Sequence, residues 1–454
     1  MMEYLIRFSQ SHETFRIPEI QALALVVGVD IEILHYDLES PFCVVKLPSE
    51  DAAKAIVKRS ILAQSIHEHW GTGDTLEEAH AEVKRKTSQW WPKYKDTSFK
   101  FSLDAFNGSR SNKQRLALIN SFGFLPFDGE IKMVNPEEDF TIFEQWEFQA
   151  VPRKLPFPMK VHFGRFIAQS ARDIIQTFDL KKRGYISTTS MDSELALITA
   201  NIALAAPGKI FYDPFAGTGS FPVACAQWGA LGFGSDIDGR SVRGDGEHKS
   251  MKGNFEQYGL KSLLGDCFVC DLTNSPVRKA RILDGILCDP PYGVREGLKV
   301  LGARDPVNQP WVVEKSRTMW NLPEYVPPKK PYSFVAMLDD ILQFATDTLV
   351  DNGRLSFWMP TANDENQEIG VPKHPCMEIV VVCTQVFNKW SRRLITYRRL
   401  PDAEVDQQAL LDWQSREQMS DGITADELNP FRRHYFNGFR TQEAVESAID
   451  TAPK

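Results

Sequence analysis

A chain of 454 residues, 43% hydrophobic and 25% charged, is too long for one ordinary core and has the balance of a globular protein, so two or three domains are expected. The 60 acidic and 52 basic residues leave a net charge of −8, which argues against a uniformly basic nucleic-acid binder. Seven cysteines without a paired framework, no basic leader ahead of an apolar stretch and no run of about 18 apolar residues point away from secreted and membrane proteins; a cytosolic or nuclear location is expected, the cytoplasmic one being preferred.

Residues 1–150 alternate short β-like runs, Met2–Phe8, Phe42–Lys46 and Phe99–Phe106, with helical patterns such as Arg115–Phe122, which follows a Ser-Asn-Lys start. Small α+β modules are predicted there. Lys/Arg clusters occur at Lys93–Lys100, Arg110–Arg115, Lys181–Arg183 and Arg392–Arg399. Each alone reads as a solvated face, and together they are suited to a weakly basic RNA surface. Residues 151–184 are expected to be a linker. Pro152, Pro156 and Pro158 stiffen its start, and Phe166–Phe178 puts Ile167, Ala171, Ile174, Ile175 and Phe178 on the stripe of an amphipathic helix.

Between 185 and 400, apolar strands alternate with helices, the pattern of a doubly wound parallel sheet. The strands are Lys209–Tyr212, Leu231–Ser235, Leu263–Val269, Asp284–Cys288 and Arg354–Met359, and Met377–Phe387 with Arg392–Arg399 reads as a closing antiparallel hairpin. That ending predicts an α/β fold of the class I methyltransferase type, a Rossmann-like seven-stranded sheet, rather than a dehydrogenase. Val300–Lys330, with Pro306, Pro310, Pro327 and Pro328, reads as a long loop. Residues 401–454 form an acidic extension containing Asn429-Pro-Phe-Arg-Arg-His-Tyr-Phe436, whose aromatics suit a domain cap or a partner contact.

Two turns carry the chemistry. In Asp213-Pro-Phe-Ala216-Gly217-Thr218-Gly219-Ser220, directly after a strand, the glycines let backbone approach a ligand closely. Pro222 stands where a dinucleotide fingerprint needs its third glycine, and the acid precedes the turn, so the loop suits the amino-acid moiety of S-adenosyl-L-methionine better than a pyrophosphate. Asp236, in Gly234-Ser-Asp236-Ile237-Asp238, is positioned to accept ribose hydroxyls, with Asp238 as its rival. Asp266 and Asp271 flank the third strand, and either is a candidate for the adenine amine. Cys267 and Cys270 have C-x-x-C spacing but no second pair, and they read as buried strand residues, so no metal site is expected.

The second turn is Asp289-Pro290-Pro291-Tyr292, 76 residues beyond Asp213. An exocyclic amine is a poor nucleophile because its lone pair is delocalised into the base. Asp289 and the Pro290 carbonyl can accept its two N–H bonds and aim the lone pair at an electrophilic methyl. Pro290 and Pro291 lock the turn, and Tyr292 offers a ring on which an extruded base can stack. Methylation of another RNA or DNA base, or a non-catalytic RNA-binding scaffold, are the alternatives.

These residues resemble the catalytic subunit of the tRNA guanosine-10 N2-methyltransferase family. The resemblance runs through Thr188-Thr-Ser-Met-Asp192, Asp213–Ser220, Gly234–Gly239 and Asp289–Gly293, while Phe99–Phe106 and Ile119–Phe127 are similar to pieces of its ferredoxin-like and THUMP front module. It implies that Asp289 and Tyr292 serve the guanine, that Asp213 and Asp236 serve the cofactor, and that the front module binds the tRNA acceptor region; Thr188, Ala216, Gly217, Thr218, Gly219 and Ile237, in the same stretches, are further cofactor candidates. It also implies a small zinc-binding activator subunit. In the methyltransferase strand order Leu263–Val269 is an edge, apolar enough to want a partner strand.

Overall fold

The computed structural model describes residues 2–246, 248–294, 297–302, 328–363, 370–388 and 390–416, with Lys315, Thr318, Asn429 and Phe431. Contacts divide the chain into two compact units, Met1–Ile174 and Ile175–Lys454. Among the described residues no helix is long and apolar enough to cross a membrane.

The first unit is built on seven strands: β1 Met2–Phe8, β2 Glu32–Tyr36, β3 Phe42–Leu47, β4 Ala63–Gly73, β5 Phe99–Phe106, β6 Glu138–Gln145 and β7 Lys160–Gln169. Their order is β2-β3-β1-β4-β7-β6-β5, antiparallel throughout except for the parallel pair β5–β6. The helix expected around Arg115 runs Asn112–Asn120, capped by Ser111, whose hydroxyl accepts from the Gln114 amide. Packing is dominated by aromatic rings: Trp70 and Phe140 lie 5.0 Å apart edge to face, and Phe122 stacks on Phe163 at 4.4 Å.

The amphipathic helix expected over Phe166–Phe178 is not formed. Its first part belongs to β7, and a short helix covers only Ile174–Phe178. Two residues explain the strand. Gly164 lets β7 lie close against β4, since an added Cβ would come within 2.8 Å of the Glu68 carbonyl. Arg165 then places one guanidinium among Glu68 (2.9 Å), Glu50 (2.6 Å) and Glu138 (3.2 Å), acids supplied by neighbouring elements. The first unit therefore extends past residue 150 to Ile174, and ten residues of the expected linker, Lys160–Gln169, form a strand of its sheet.

In the second unit the strands are β8 Ile210–Asp213, β9 Leu231–Asp236, β10 Leu264–Val269, β11 Leu283–Cys288, β14 Leu349–Ala362, β15 Met377–Val386 and β16 Trp390–Arg399, ordered β10-β9-β8-β11-β14-β16-β15. The first five are parallel, and the β15–β16 hairpin closes the sheet antiparallel. This is the layout of a class I methyltransferase. Buried helices cover the sheet, including Ser193–Ile202, whose first turn is capped by the Asp192 carboxylate, and Phe334–Thr348. Two further short strands, β12 Lys299–Leu301 and β13 Lys329–Pro331, pair as an antiparallel ribbon. The long loop expected over Val300–Lys330 thus has paired ends, and most of its middle lies outside the described residues.

Strand adjacency sets the geometry that matters. β8 and β11 are neighbours, with Phe211 opposite Gly285 and Tyr212 opposite Ile286. Gly285 is required because the Phe211 ring occupies the space a Cβ would fill, 2.0 Å from the nearest ring carbon. Both strands therefore end on the same carboxyl edge, one at Asp213 and the other just before Asp289. In the first unit, Trp70→Ala is expected to cost about 3–5 kcal/mol of stability, because a fully buried ring would leave a cavity among other rings. Urea unfolding followed by intrinsic fluorescence and circular dichroism measures it.

Candidate active site

The glycine loop is held from both sides. Asp213, 2% exposed, accepts a hydrogen bond from the Phe215 amide (2.9 Å). Across the strand gap, Asp236 accepts from the Gly217 amide (3.0 Å) and from the Asp238 amide (2.8 Å). Ala216 is buried and donates its amide to the Ser235 carbonyl at 2.8 Å. Gly217, at φ +51, has no atom within 4 Å of where a Cβ would stand, whereas Gly219, at φ +87, packs so tightly that a Cβ would meet Met251 Cγ at 2.5 Å. One glycine gives open approach and the other gives close packing at the start of the helix Ser220–Gln227.

The remaining cofactor candidates separate by position. Asp238, the rival of Asp236, caps the helix Gly239–Arg243 and pairs with Arg240 at 2.8 Å, so Asp236 is the acid that faces the loop. Ile237 is half-buried beside it. Asp271 lies at the carboxyl end of β10, with both oxygens engaged by the Thr273 and Leu301 amides at 3.0 and 2.7 Å; it ties the β12 ribbon to the sheet edge. Asp266 sits opposite Phe233, back along β10 from the Val269–Asp236 pair, and is exposed. It is not brought to the carboxyl edge with the others.

Thr188 is exposed and Thr218 is buried. Their segments are joined through Ser190, whose hydroxyl lies 2.7 Å from that of Thr218. Sequence reasoning missed a second clamp, Asn254. Its Nδ2 donates to the Tyr185 and Thr218 carbonyls at 2.8 and 3.0 Å, and its Oδ1 accepts from the Tyr185 amide at 3.0 Å. No local signal reveals Asn254, because its partners are far away in sequence.

On the other side, Asp289 and Tyr292 each present a buried oxygen, Oδ1 and the phenol, without a hydrogen-bond partner of ordinary geometry. Burial pushes the Asp289 carboxyl up to about 6, with the Tyr292 hydroxyl and the Arg392 charge pulling the other way. Tyr292 is raised well above its usual value by burial and by the Asp289 charge. Pro290 is buried and Pro291 exposed. Arg392, Trp358 and Trp390 were also missed: the Arg392 guanidinium lies 4.8 Å from the Trp358 ring centre, and Trp390 meets Tyr292 edge to face at 6.3 Å.

The two turns share one electrostatic environment. Asp213 is raised well above its usual value, first by burial, with the charges of Asp236 and Asp289 adding to it. Asp236 is raised as well, chiefly by burial. Carboxylates gathered this closely favour a cationic ligand and repel a pyrophosphate.

Residues 2–172 match the Tmrp11 THUMP N-terminal domain, and residues 181–301 match the RMKL-like methyltransferase domain. The tRNA (guanine(10)-N(2))-methyltransferase of Saccharomyces cerevisiae is 41% identical over 445 residues, covering 97% of this chain and all of that protein. The Schizosaccharomyces pombe and Homo sapiens enzymes of the same name are 36% and 34% identical, over 89% and 98% of this chain and 91% and 97% of their own lengths. The chain belongs to the tRNA (guanine(10)-N(2))-methyltransferase family. The cofactor of this family's methyltransferase domain is S-adenosyl-L-methionine, and the residues present fit it: an open Gly217, the Asp236 carboxylate beside it, and buried acids, Asp213, Asp236 and Asp289, whose charge would favour a cationic ligand. Gly219→Ala is expected to weaken cofactor binding by roughly tenfold or more, since the added methyl strains a left-handed backbone and displaces Met251. Calorimetric titration with S-adenosylhomocysteine measures the change.

Proposed function

We propose that this protein transfers a methyl group to the exocyclic N2 amine of a guanosine in tRNA, at position 10. The observation that carries the reading is the buried Asp289 carboxyl, beside the Tyr292 hydroxyl, on the same carboxyl edge as the acid-lined glycine loop. When bound, S-adenosyl-L-methionine supplies a methyl group on a positively charged sulfur. Asp289 and the Pro290 carbonyl accept the N–H bonds of the guanine amine, which turns its lone pair away from the ring. Tyr292 gives the extruded base a stacking face, a contact worth about 1–3 kcal/mol. The rate comes mainly from alignment of the reacting atoms. The amine sheds one proton after transfer, and Asp289, ionised at neutral pH and held near 6, is matched to take it.

Transcribed tRNA incubated with radiolabelled cofactor, then digested to nucleosides, should yield N2-methylguanosine; duplex DNA at matched salt should yield no labelled base. Label in adenosine or cytidine, or in DNA alone, refutes the assignment. Asp289→Ala should keep cofactor affinity within about twofold and lose at least about a hundredfold in kcat. A raised carboxyl that must be ionised to work also predicts a pH profile. As pH falls through about 6 Asp289 gains a proton, and the single-turnover rate should drop about tenfold per unit below that point. A rate flat down to pH 5 overturns this role.

The partner reading concerns β10, which with β15 is one of the two edge strands of the second sheet among the described residues. It exposes Gly265, Asp266 and Val269, so it is less apolar than its sequence promised. A small zinc-binding activator subunit, as the family resemblance implies, would add a strand here and pair the outer backbone groups. A tRNA substrate supports a cytoplasmic location for the complex. If the isolated chain is soluble, monomeric and fully active alone, the partner is not needed.

A further inference from the structure

Gly293, directly after the Asp-Pro-Pro-Tyr turn, has φ +67. A Cβ there would stand 2.7 Å from the Asn429 side-chain nitrogen. That nitrogen donates a hydrogen bond to the Tyr292 carbonyl at 2.7 Å, across 137 residues of sequence. Asn429 is 3% exposed and Phe431 2% exposed. The Phe431 ring meets Trp390 at 5.8 Å and 60°; Trp390 in turn stacks on Phe387 at 4.6 Å and meets the Tyr292 ring at 6.3 Å and 78°.

From these contacts we infer that Asn429 is a positioning residue of the acceptor-base slot, acting through Tyr292. The argument is one of degrees of freedom. Prolines 290 and 291 restrain the entry to the turn. Its exit is Gly293, the residue type with the greatest backbone freedom, so the orientation of Tyr292 is not set by the turn itself. Asn429 fixes the carbonyl of Tyr292 by a buried hydrogen bond. Phe431 fixes its ring through Trp390, whose edge-to-face contact restricts how Tyr292 tilts. A base stacked on Tyr292 inherits that orientation, and the distance from its amine to the incoming methyl inherits it as well. Misplacement of about an ångström at such a point can cost roughly a hundredfold in rate. Neither Asn429 nor Phe431 is among the groups that hold the glycine loop, so cofactor affinity should not depend on them.

The inference rests on the methyltransferase reading above, and the test separates the two. The full chain, with any subunit it needs for activity, is assayed by single-turnover methyl transfer to tRNA, by titration with S-adenosylhomocysteine and by thermal unfolding. Asn429→Asp removes the donor at nearly constant volume, and Asn429→Ala removes the whole group. Both should lower the transfer rate by roughly tenfold to a hundredfold, leave cofactor affinity within about twofold, and shift tRNA affinity little. A merely structural role would instead lower melting temperature and cofactor affinity together with rate. Should the Asn429 variants fail to fold, Phe431→Leu keeps a buried apolar group and should still slow transfer by about threefold or more at unchanged cofactor affinity. Wild-type rate in a folded Asn429→Ala, equal losses of rate and cofactor affinity, or wild-type rate in Phe431→Leu each overturns the inference. Absence of methyl transfer by the wild-type protein in the same assay would fail the functional reading instead.

Discussion

The parallel pairing of β8 with β11 is the constraint on which the rest of this molecule depends. It needs Gly285, because the Phe211 ring lies where any side chain would stand. Once the pair forms, two turns 76 residues apart in sequence must leave the sheet at one edge, and Asp213 and Asp289 come within each other's field. Burial then acts against ionisation of the acids, and for Asp213 the charges of Asp236 and Asp289 add to it. The cost is recovered only when positive charge enters, so the site is tuned for a cation before any contact with it is considered.

Around this pair the protein uses two separate sets of restraints. On the cofactor side, Asp236, Ser190 and Asn254 fix the glycine loop by hydrogen bonds from three different segments. On the acceptor side, the restraints are prolines and aromatic rings from β14, β16 and the region beyond residue 400. The division has a chemical logic. A polar, charged ligand is gripped by directional hydrogen bonds, while a flat base is oriented by ring surfaces with few polar atoms to satisfy.

Much of the second unit was legible in the sequence because its strands are short apolar runs bounded by glycine, proline and acids. The two motifs stood out since each couples a strand end to a turn that only certain residues can make. The first unit was harder. Ile167, Ala171, Ile174, Ile175 and Phe178 satisfy a helical period, yet Phe166 and Ile167 belong to a strand fixed by Gly164 and by the acids around Arg165. Tertiary pairing overrode the local pattern there. Asn254 was invisible, and Arg392 and Asn429 showed only as members of a basic cluster and of an aromatic segment, for another reason. Each matters through a partner distant in sequence, and nothing in its immediate neighbours reveals that partner.

The bond from Asn429 to Tyr292 also bears on how the protein comes into being during translation. The segments that shape the cofactor loop, from Tyr185 to Asn254, leave the ribosome far ahead of Asn429. If Asn429 acts as inferred, synthesis in that order leaves the last restraint on the acceptor turn to a segment made well after the cofactor loop.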